Sequence, residues 1–173
     1  MSVFATMTNM GHEQVVFVEN QEFGLKAIIA IHNTVLGPSL GGLRIYPYST
    51  EEEALKDVLR LSRGMTYKAA VANLNLGGGK AVIIGDKSIK SEGLFRAFGR
   101  AVESLGGRYI TAEDMNTTVE DMTHIGKETQ WVSGSSTHTG GSGDPSPVTA
   151  WGTHCLIEIS ESVSCSAGPD PVL

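Results

Sequence analysis

The sequence predicts an α/β fold, a layered sheet with helices packed on it, and three observations carry that prediction. Short, β-branched apolar runs alternate along the chain with longer stretches of helical periodicity. The links between them are brief and rich in turn residues. The chain also holds 21 glycines, many in pairs or triplets, a density that suits a turn-rich α/β domain better than a helical bundle. At 173 residues, 40% hydrophobic and 18% charged, it is long enough for one ordinary globular domain with a core of its own.

Glu13 to Asn20 (EQVVFVEN) and Leu25 to Ile31 (LKAIIAI) read as neighbouring strands, with Gln21–Gly24 as the hairpin turn. Pro38 and the pair Gly41-Gly42 mark turns before a third strand at Gly42–Tyr46; the two glycines serve plain turn chemistry or a functional approach equally well. Ser49 and Glu52 fit a capping box at the head of a long helix, with Leu55, Val58, Leu59 and Met65 on its apolar face. That helix is expected to run through Lys68 toward Asn73. A glycine loop, Gly77-Gly78-Gly79, then leads to Lys80 and a strand at Ala81–Gly85. Ser91 opens an amphipathic helix with Leu94, Phe95, Phe98, Val102 and Leu105 inward, closed by Gly106-Gly107. Arg108–Ala112 is the next strand and delivers Glu113-Asp114 at its end. Thr117 with Glu120 suggests another capping box, for a short helix carrying Val119, Met122 and Ile125, and Gln130–Val132 is a last strand candidate. Residues 1–145 thus form the main domain. A loop at Ser133–Pro147 precedes a hinge helix at 146–159, and 160–173 reads as a disordered or atypical tail.

Composition removes several classes of function. A net charge of -6 gives no electrostatic footprint for nucleic acid or an anionic membrane. The apolar runs are far shorter than a membrane span, and the N-terminal residues lack the basic and apolar regions of a secretion signal. Cys155 and Cys165 make neither a CxxC pair nor a disulfide framework, so the expected location is cytoplasmic. The five histidines show no metal-ligand spacing, and no GxSxG elbow is present.

The chemistry concentrates in RGMTYKAAVANLNLGGGK, Arg63 to Lys80. A phosphate-binding P-loop is excluded, since it needs glycine at 74 and Ser or Thr at 81, where Leu74 and Ala81 stand. Lys68 lies three residues after Met65, on the apolar side of its helix, which favours a partly buried ammonium. Lys80 follows three glycines, whose lack of side chains lets the backbone turn sharply or approach a partner closely. A lysine acting as general base must shed its proton near neutral pH, and burial or a second nearby ammonium promotes that. Lys68 and Lys80 supply such a pair if they meet in space. Asp114, at a strand end, is placed to hold an amine or move its proton, or to serve as an ordinary turn aspartate. Lys26, Lys56, Lys87, Lys90 and Lys127 have no comparable setting and are expected to be solvated. A Schiff-base lysine at Lys80 is a lesser reading.

Four ordered blocks, LGPSLGGLRIY, RGMTYKAAVANLNLGGGKAVI, RYITAEDMNTT and DPSPVTAWG, resemble the N-terminal domain of the Glu/Leu/Phe/Val dehydrogenases, and leucine dehydrogenase in particular; they fall within about residues 13–157. The resemblance implies oxidative deamination of an aliphatic, leucine-type L-amino acid to its 2-oxo acid and ammonia, with NAD as cofactor. It implies that Lys68 binds the substrate carboxylate, that Lys80 is the base activating water for attack on the imine carbon, and that Asp114 handles the amino group and its protons. Leu40, Gly41 and Gly42 would line the substrate site, with Met65 near the side-chain pocket and Pro147 and Thr149 near the hinge. A homo-oligomer is expected. The family's dinucleotide-binding domain, with its G-x-G-x-x-G turn, has no counterpart in this sequence. The expectation is therefore the substrate and catalytic-lysine half of such an enzyme, or else a non-catalytic amino-acid-binding or oligomerisation module. Asn116 departs from the family pattern, standing where many members have glycine.

Overall fold

The computed structural model describes residues 2–134 and Trp151. The chain divides into two units, Met1–Gly143 and Asp144–Leu173, and the first is described here by itself. The tail, residues 135–147 of the expected loop and all of the expected hinge helix except Trp151, which is helical, lie outside the described residues.

Five strands form one sheet: β1 (Gln14–Asn20), β2 (Leu25–Asn33), β3 (Ser39–Tyr46), β4 (Gly77–Ile84) and β5 (Tyr109–Glu113), in the order β1-β2-β4-β3-β5. β1 and β2 are the expected hairpin, and β2 runs antiparallel to β4. β3 lies parallel to both β4 and β5. Among the described residues 2–134, four α-helices accompany the sheet: α1 (Val3–Met10), α2 (Glu51–Val71), α3 (Glu92–Glu103) and α4 (Val119–Gly126). Alternation along the strands sends side chains to two separate cores. Leu43, Ile45, Ala81 and Ile83 meet Leu94, Phe95 and Phe98 of α3 and Met122 and Ile125 of α4. On the opposite face Ile28, Ala30 and Val82 pack with Ala54, Leu55, Val58 and Leu59 of α2. The expected layered α/β architecture is the one observed.

Several local readings are corrected. The head of α2 is capped one residue later than expected. Thr50 Oγ1 accepts from the Glu53 N–H at 3.1 Å, and the Ser49 N–H donates to Glu53 Oε2 at 3.0 Å. The same shift occurs at α4, where Thr118 and Asp121 make the reciprocal box. α2 stops at Val71, short of Asn73. Val132 makes an isolated bridge to Thr111 in place of a full strand. Lys90 is half-buried and paired with Asp121, not solvated. α1, for which no helix was expected, is capped by Ser2, whose hydroxyl accepts from the Ala5 N–H.

The largest correction concerns the glycines. Gly77, Gly78 and Gly79 are not a loop; they are the buried first residues of β4, and Gly41 and Gly42 lie inside β3. What they provide is closeness. A Cβ at Gly41 would sit 1.6 Å from the Gly79 carbonyl oxygen, and one at Gly78 would sit 2.2 Å from the Thr66 nitrogen of α2. The absence of side chains lets β3, β4 and α2 stack backbone against backbone.

A pair of histidines ties the start of the chain to α2. The His12 Nε2–H donates to Ser62 Oγ at 2.8 Å and lies 3.1 Å from the Leu59 carbonyl oxygen. His32 donates from Nε2 to the Met10 carbonyl at 3.1 Å and accepts from the Thr66 hydroxyl at 2.8 Å. The tautomers follow because a carbonyl only accepts. The rings meet edge to face at 4.8 Å. Burial, the neighbouring His32 and Arg63 pull His12 down to about 4, against the Leu59 carbonyl, and burial also lowers His32. A histidine held neutral in the fold contributes stability that is complete above its unfolded pKa, about 6.5. That stability is lost as pH falls toward 4. The expected loss is on the order of 1–2 kcal/mol after discounting for solvent screening. Urea unfolding between pH 7 and 4 should show it, with a flatter profile in His12→Gln; an unchanged profile in that variant would contradict the assignment.

Candidate active site

Lys80 rises from the middle of β4, opposite Ala30 of β2, on the face covered by α2. It is 4% exposed, a rare setting for an ammonium and one that requires a partner. Asp114 provides it. This residue follows the last residue of β5, and its Oδ1 lies 3.0 Å from Lys80 Nζ. The Asp114 carboxylate is held at its other oxygen by Arg44, whose Nε donates to Oδ2 at 3.0 Å. The Thr117 hydroxyl accepts from the Asp114 N–H at 2.8 Å and itself donates to the Leu43 carbonyl at 2.9 Å, fixing the turn after β5.

Burial pulls the Lys80 ammonium below the usual lysine range. Asp114 draws it back up, and Arg44 adds to the lowering. For Asp114, burial alone would raise the carboxyl, but the charge and hydrogen bond of Lys80, with the Met115 backbone and Arg44, hold it below its usual range. The pair is therefore a carboxylate beside a lysine whose proton is easier to remove than in solution, which equips Lys80 for general-base work.

The structure brings Lys80, Asp114 and Gly42 together: a Cβ at Gly42 would lie 2.7 Å from Asp114 Cβ, so the glycine makes room for the aspartate. Leu40, half-buried, is the register partner of Gly78 on β4. Met65, half-buried, precedes Thr66, which packs on Gly78. Lys68 is exposed on the last turn of α2, not partly buried as expected. Sharing a helix face with Met65 does not bury it, since Met65 is itself only half-buried. The second cation acting on Lys80 is Arg44, which sequence reasoning missed. The available signal was period-two spacing: on one strand, Arg44 falls on the same face as Gly42. Asn116 has φ 66°, the left-handed region that asparagine tolerates better than most residues, and its Nδ2 donates to the Ile45 carbonyl at 2.8 Å. That conformation explains why asparagine and glycine both suit the position.

A cleft of about 450 Å³ opens beside Arg44, lined by Tyr46, Tyr48, Lys56, Asp57, Arg60 and Met115. None of the residues expected to bind substrate lines it. Among the described residues no cluster of three or more His, Cys, Asp or Glu side chains is arranged to hold a metal. No helix there is long and apolar enough to cross a membrane.

A mixed sheet beneath a long helix, with a buried lysine–aspartate ion pair between them, defines an α/β domain built around one buried charge pair. Comparison with known proteins gives its family. Residues 12–131 match the model of the Glu/Leu/Phe/Val dehydrogenase dimerisation domain. The chain is 59% identical over 155 residues to the leucine dehydrogenase of Geobacillus stearothermophilus, covering 89% of this chain and 42% of that protein. It is 62% identical over 143 residues to the valine dehydrogenase of Streptomyces virginiae, covering 82% and 40%. The crystal structure of L-tryptophan dehydrogenase from Nostoc punctiforme superposes with a TM-score of 0.74 at 56% identity, over 76% of this chain and 39% of that one. The chain belongs to the Glu/Leu/Phe/Val dehydrogenase family. It spans about two fifths of the length of the curated relatives it matches.

Proposed function

We propose that this chain carries the substrate-binding and proton-transfer half of an NAD-dependent dehydrogenase acting on an aliphatic, leucine-type L-amino acid. The observation that carries the reading is Lys80, buried and 3.0 Å from Asp114. Lys68, exposed at the end of α2, suits a substrate carboxylate. Leu40 and Met65 give the side-chain region an apolar character that favours an aliphatic substrate over glutamate, and the backbones of Gly41 and Gly42 allow close approach. Asp114 holds the amino group. Lys80, once neutral, takes a proton from water as its oxygen adds to the imine carbon of the oxidised substrate, and it returns a proton as ammonia departs. NAD, when bound, would accept the substrate's hydride. Among the described residues no strand opens through a G-x-G-x-x-G turn onto a helix, so we assign the cofactor to a separate dinucleotide-binding domain.

A homo-oligomer fits the same reading. Among the described residues β1 pairs only with β2, and its Phe17 is 58% exposed, an apolar strand edge of the kind that invites pairing. Cytoplasmic residence is proposed from the cysteine usage.

The test joins this segment to the dinucleotide-binding domain of a leucine dehydrogenase and follows NADH formation with leucine, valine, isoleucine, phenylalanine and glutamate. Turnover on the aliphatic substrates is expected, with Lys68→Ala raising KM for leucine at least about 10-fold through loss of a charge-assisted contact. A folded, cofactor-binding fusion that is silent across the panel would refute the reading.

A further inference from the structure

Asp114 makes its two ion pairs through different oxygens, one to Lys80 and one to Arg44. Arg44 is in turn held from behind. Its Nη1 donates to Asp57 Oδ2 at 3.0 Å, and the same oxygen accepts from the Tyr48 hydroxyl at 2.7 Å. Asp57 Oδ1 accepts from Arg60 Nη2 at 3.0 Å. The side chains of Arg44 and Asp57 are only 18% and 17% exposed. The guanidinium is a rigid planar fork, so with Nε on one carboxylate and Nη1 on another it cannot turn without breaking a charge-assisted bond. Asp114 therefore cannot rotate its carboxylate away from Lys80. Strand β3 and helix α2 are tied to the turn after β5 by this single side chain.

We propose that Arg44 is a positioning residue of the lysine–aspartate centre, clamping Asp114 so that one oxygen faces Lys80, with Asp57 and Tyr48 holding the clamp in place. Its catalytic consequence rests on the reading above; the clamp itself does not.

The charged groups acting on Lys80 are Asp114 after β5, Arg44 on β3 and Asp57 on α2, while β2 opposes it with Ala30. Arg44 shares the negative charge of Asp114. Without it the whole carboxylate charge serves the Lys80 ammonium, whose proton is then held to higher pH. The sign is therefore an upward shift on losing Arg44.

The experiment is competitive acetylation of the folded chain with acetic anhydride across a pH series, reading Lys80 by mass spectrometry against exposed Lys26. Arg44→Gln is expected to move the Lys80 labelling midpoint up by about one pH unit. Arg44→Lys keeps the positive charge but lacks the fork that spans Asp114 and Asp57, so it should restore the midpoint only in part. Full restoration would mean that charge alone, and not the clamp, acts on Lys80, and would overturn the proposal. A midpoint unmoved in folded Arg44→Gln overturns the proposal, since a merely structural arginine would leave Lys80 chemistry alone. Should Arg44→Gln not fold, the unaltered chain decides by NMR. An Arg44 Nε–H protected from solvent exchange at neutral pH supports the clamp, and one exchanging as fast as that of Arg63 overturns it. Neither readout needs turnover, so a failed dehydrogenase assay and a failed clamp are separable results.

Discussion

Lys80→Ala, placed in the fusion with a dinucleotide-binding domain, is expected to lower kcat by roughly 10²- to 10⁴-fold, the contribution typical of a positioned general base. The variant removes a buried ammonium and leaves Asp114 still held by Arg44 and the Met115 backbone, so the carboxylate does not lose all its partners. Folding should survive, and circular dichroism would check it. The wild-type rate is expected to rise with pH, because the base works only when neutral. The half-maximal point should fall below the pKa of free lysine, about 10.4, since burial lowers Lys80 in the fold. Lys80→Arg keeps the charge in a group that does not deprotonate and should be as inactive as the alanine variant. Turnover within about threefold of wild type in a folded Lys80→Ala enzyme would remove Lys80 from the mechanism, because a positioned base contributes at least 10²-fold.

Gly41→Ala is expected to have the largest effect on stability. The added methyl would lie 1.6 Å from the Gly79 carbonyl oxygen and 2.4 Å from its carbonyl carbon, both backbone atoms of a neighbouring strand. No rotamer change relieves such a contact, so β3 and β4 would have to separate between their paired positions Leu40–Gly78 and Leu43–Ala81. Overpacking of side chains alone commonly costs about 1–3 kcal/mol. A backbone collision in a central strand should exceed about 3 kcal/mol, a large share of a typical domain's stability. Insoluble protein, or a urea midpoint far below wild type, is the expected outcome. Gly64→Ala on α2, where an added Cβ meets nothing within 4 Å, is the matched control and should be neutral or mildly stabilising. A Gly41→Ala protein as stable as the control would mean the strands do not approach as described.

Much of this was legible in the sequence because it depends on periodicity. The hairpin of β1 and β2 and the inward faces of α2 and α3 follow from apolar spacing alone. Lys80 and Asp114 each stand out in the sequence, but the pair expected from it is Lys68 with Lys80; no spacing rule could bring residues 34 apart in sequence within 3.0 Å. What failed has definite causes. Gly77–Gly79 looked like a loop because glycine disfavours strands on average; here a close neighbour, not propensity, selects the residue. The capping boxes shifted by one because Ser49-Thr50 and Thr117-Thr118 each put two competent caps side by side. Arg44 was overlooked because an arginine between Leu43 and Ile45 reads as a solvated edge residue until Asp57 and Asp114 are seen to converge on it.

β4 lies at the centre of the sheet, flanked by β2 and β3 and covered on both faces, whereas Lys68 stands on the exposed last turn of α2. Amide exchange at Lys80 should accordingly proceed only through global unfolding, and exchange at Lys68 through fraying of a helix end. The lysine proposed to move protons is thus anchored in the slowest-opening element, and the lysine proposed to hold the substrate stands on a helix end that frays independently. Under the proposed function, substitutions near the exposed end of α2, around Met65 and Lys68, can alter substrate binding while the buried Lys80–Asp114 pair stays fixed.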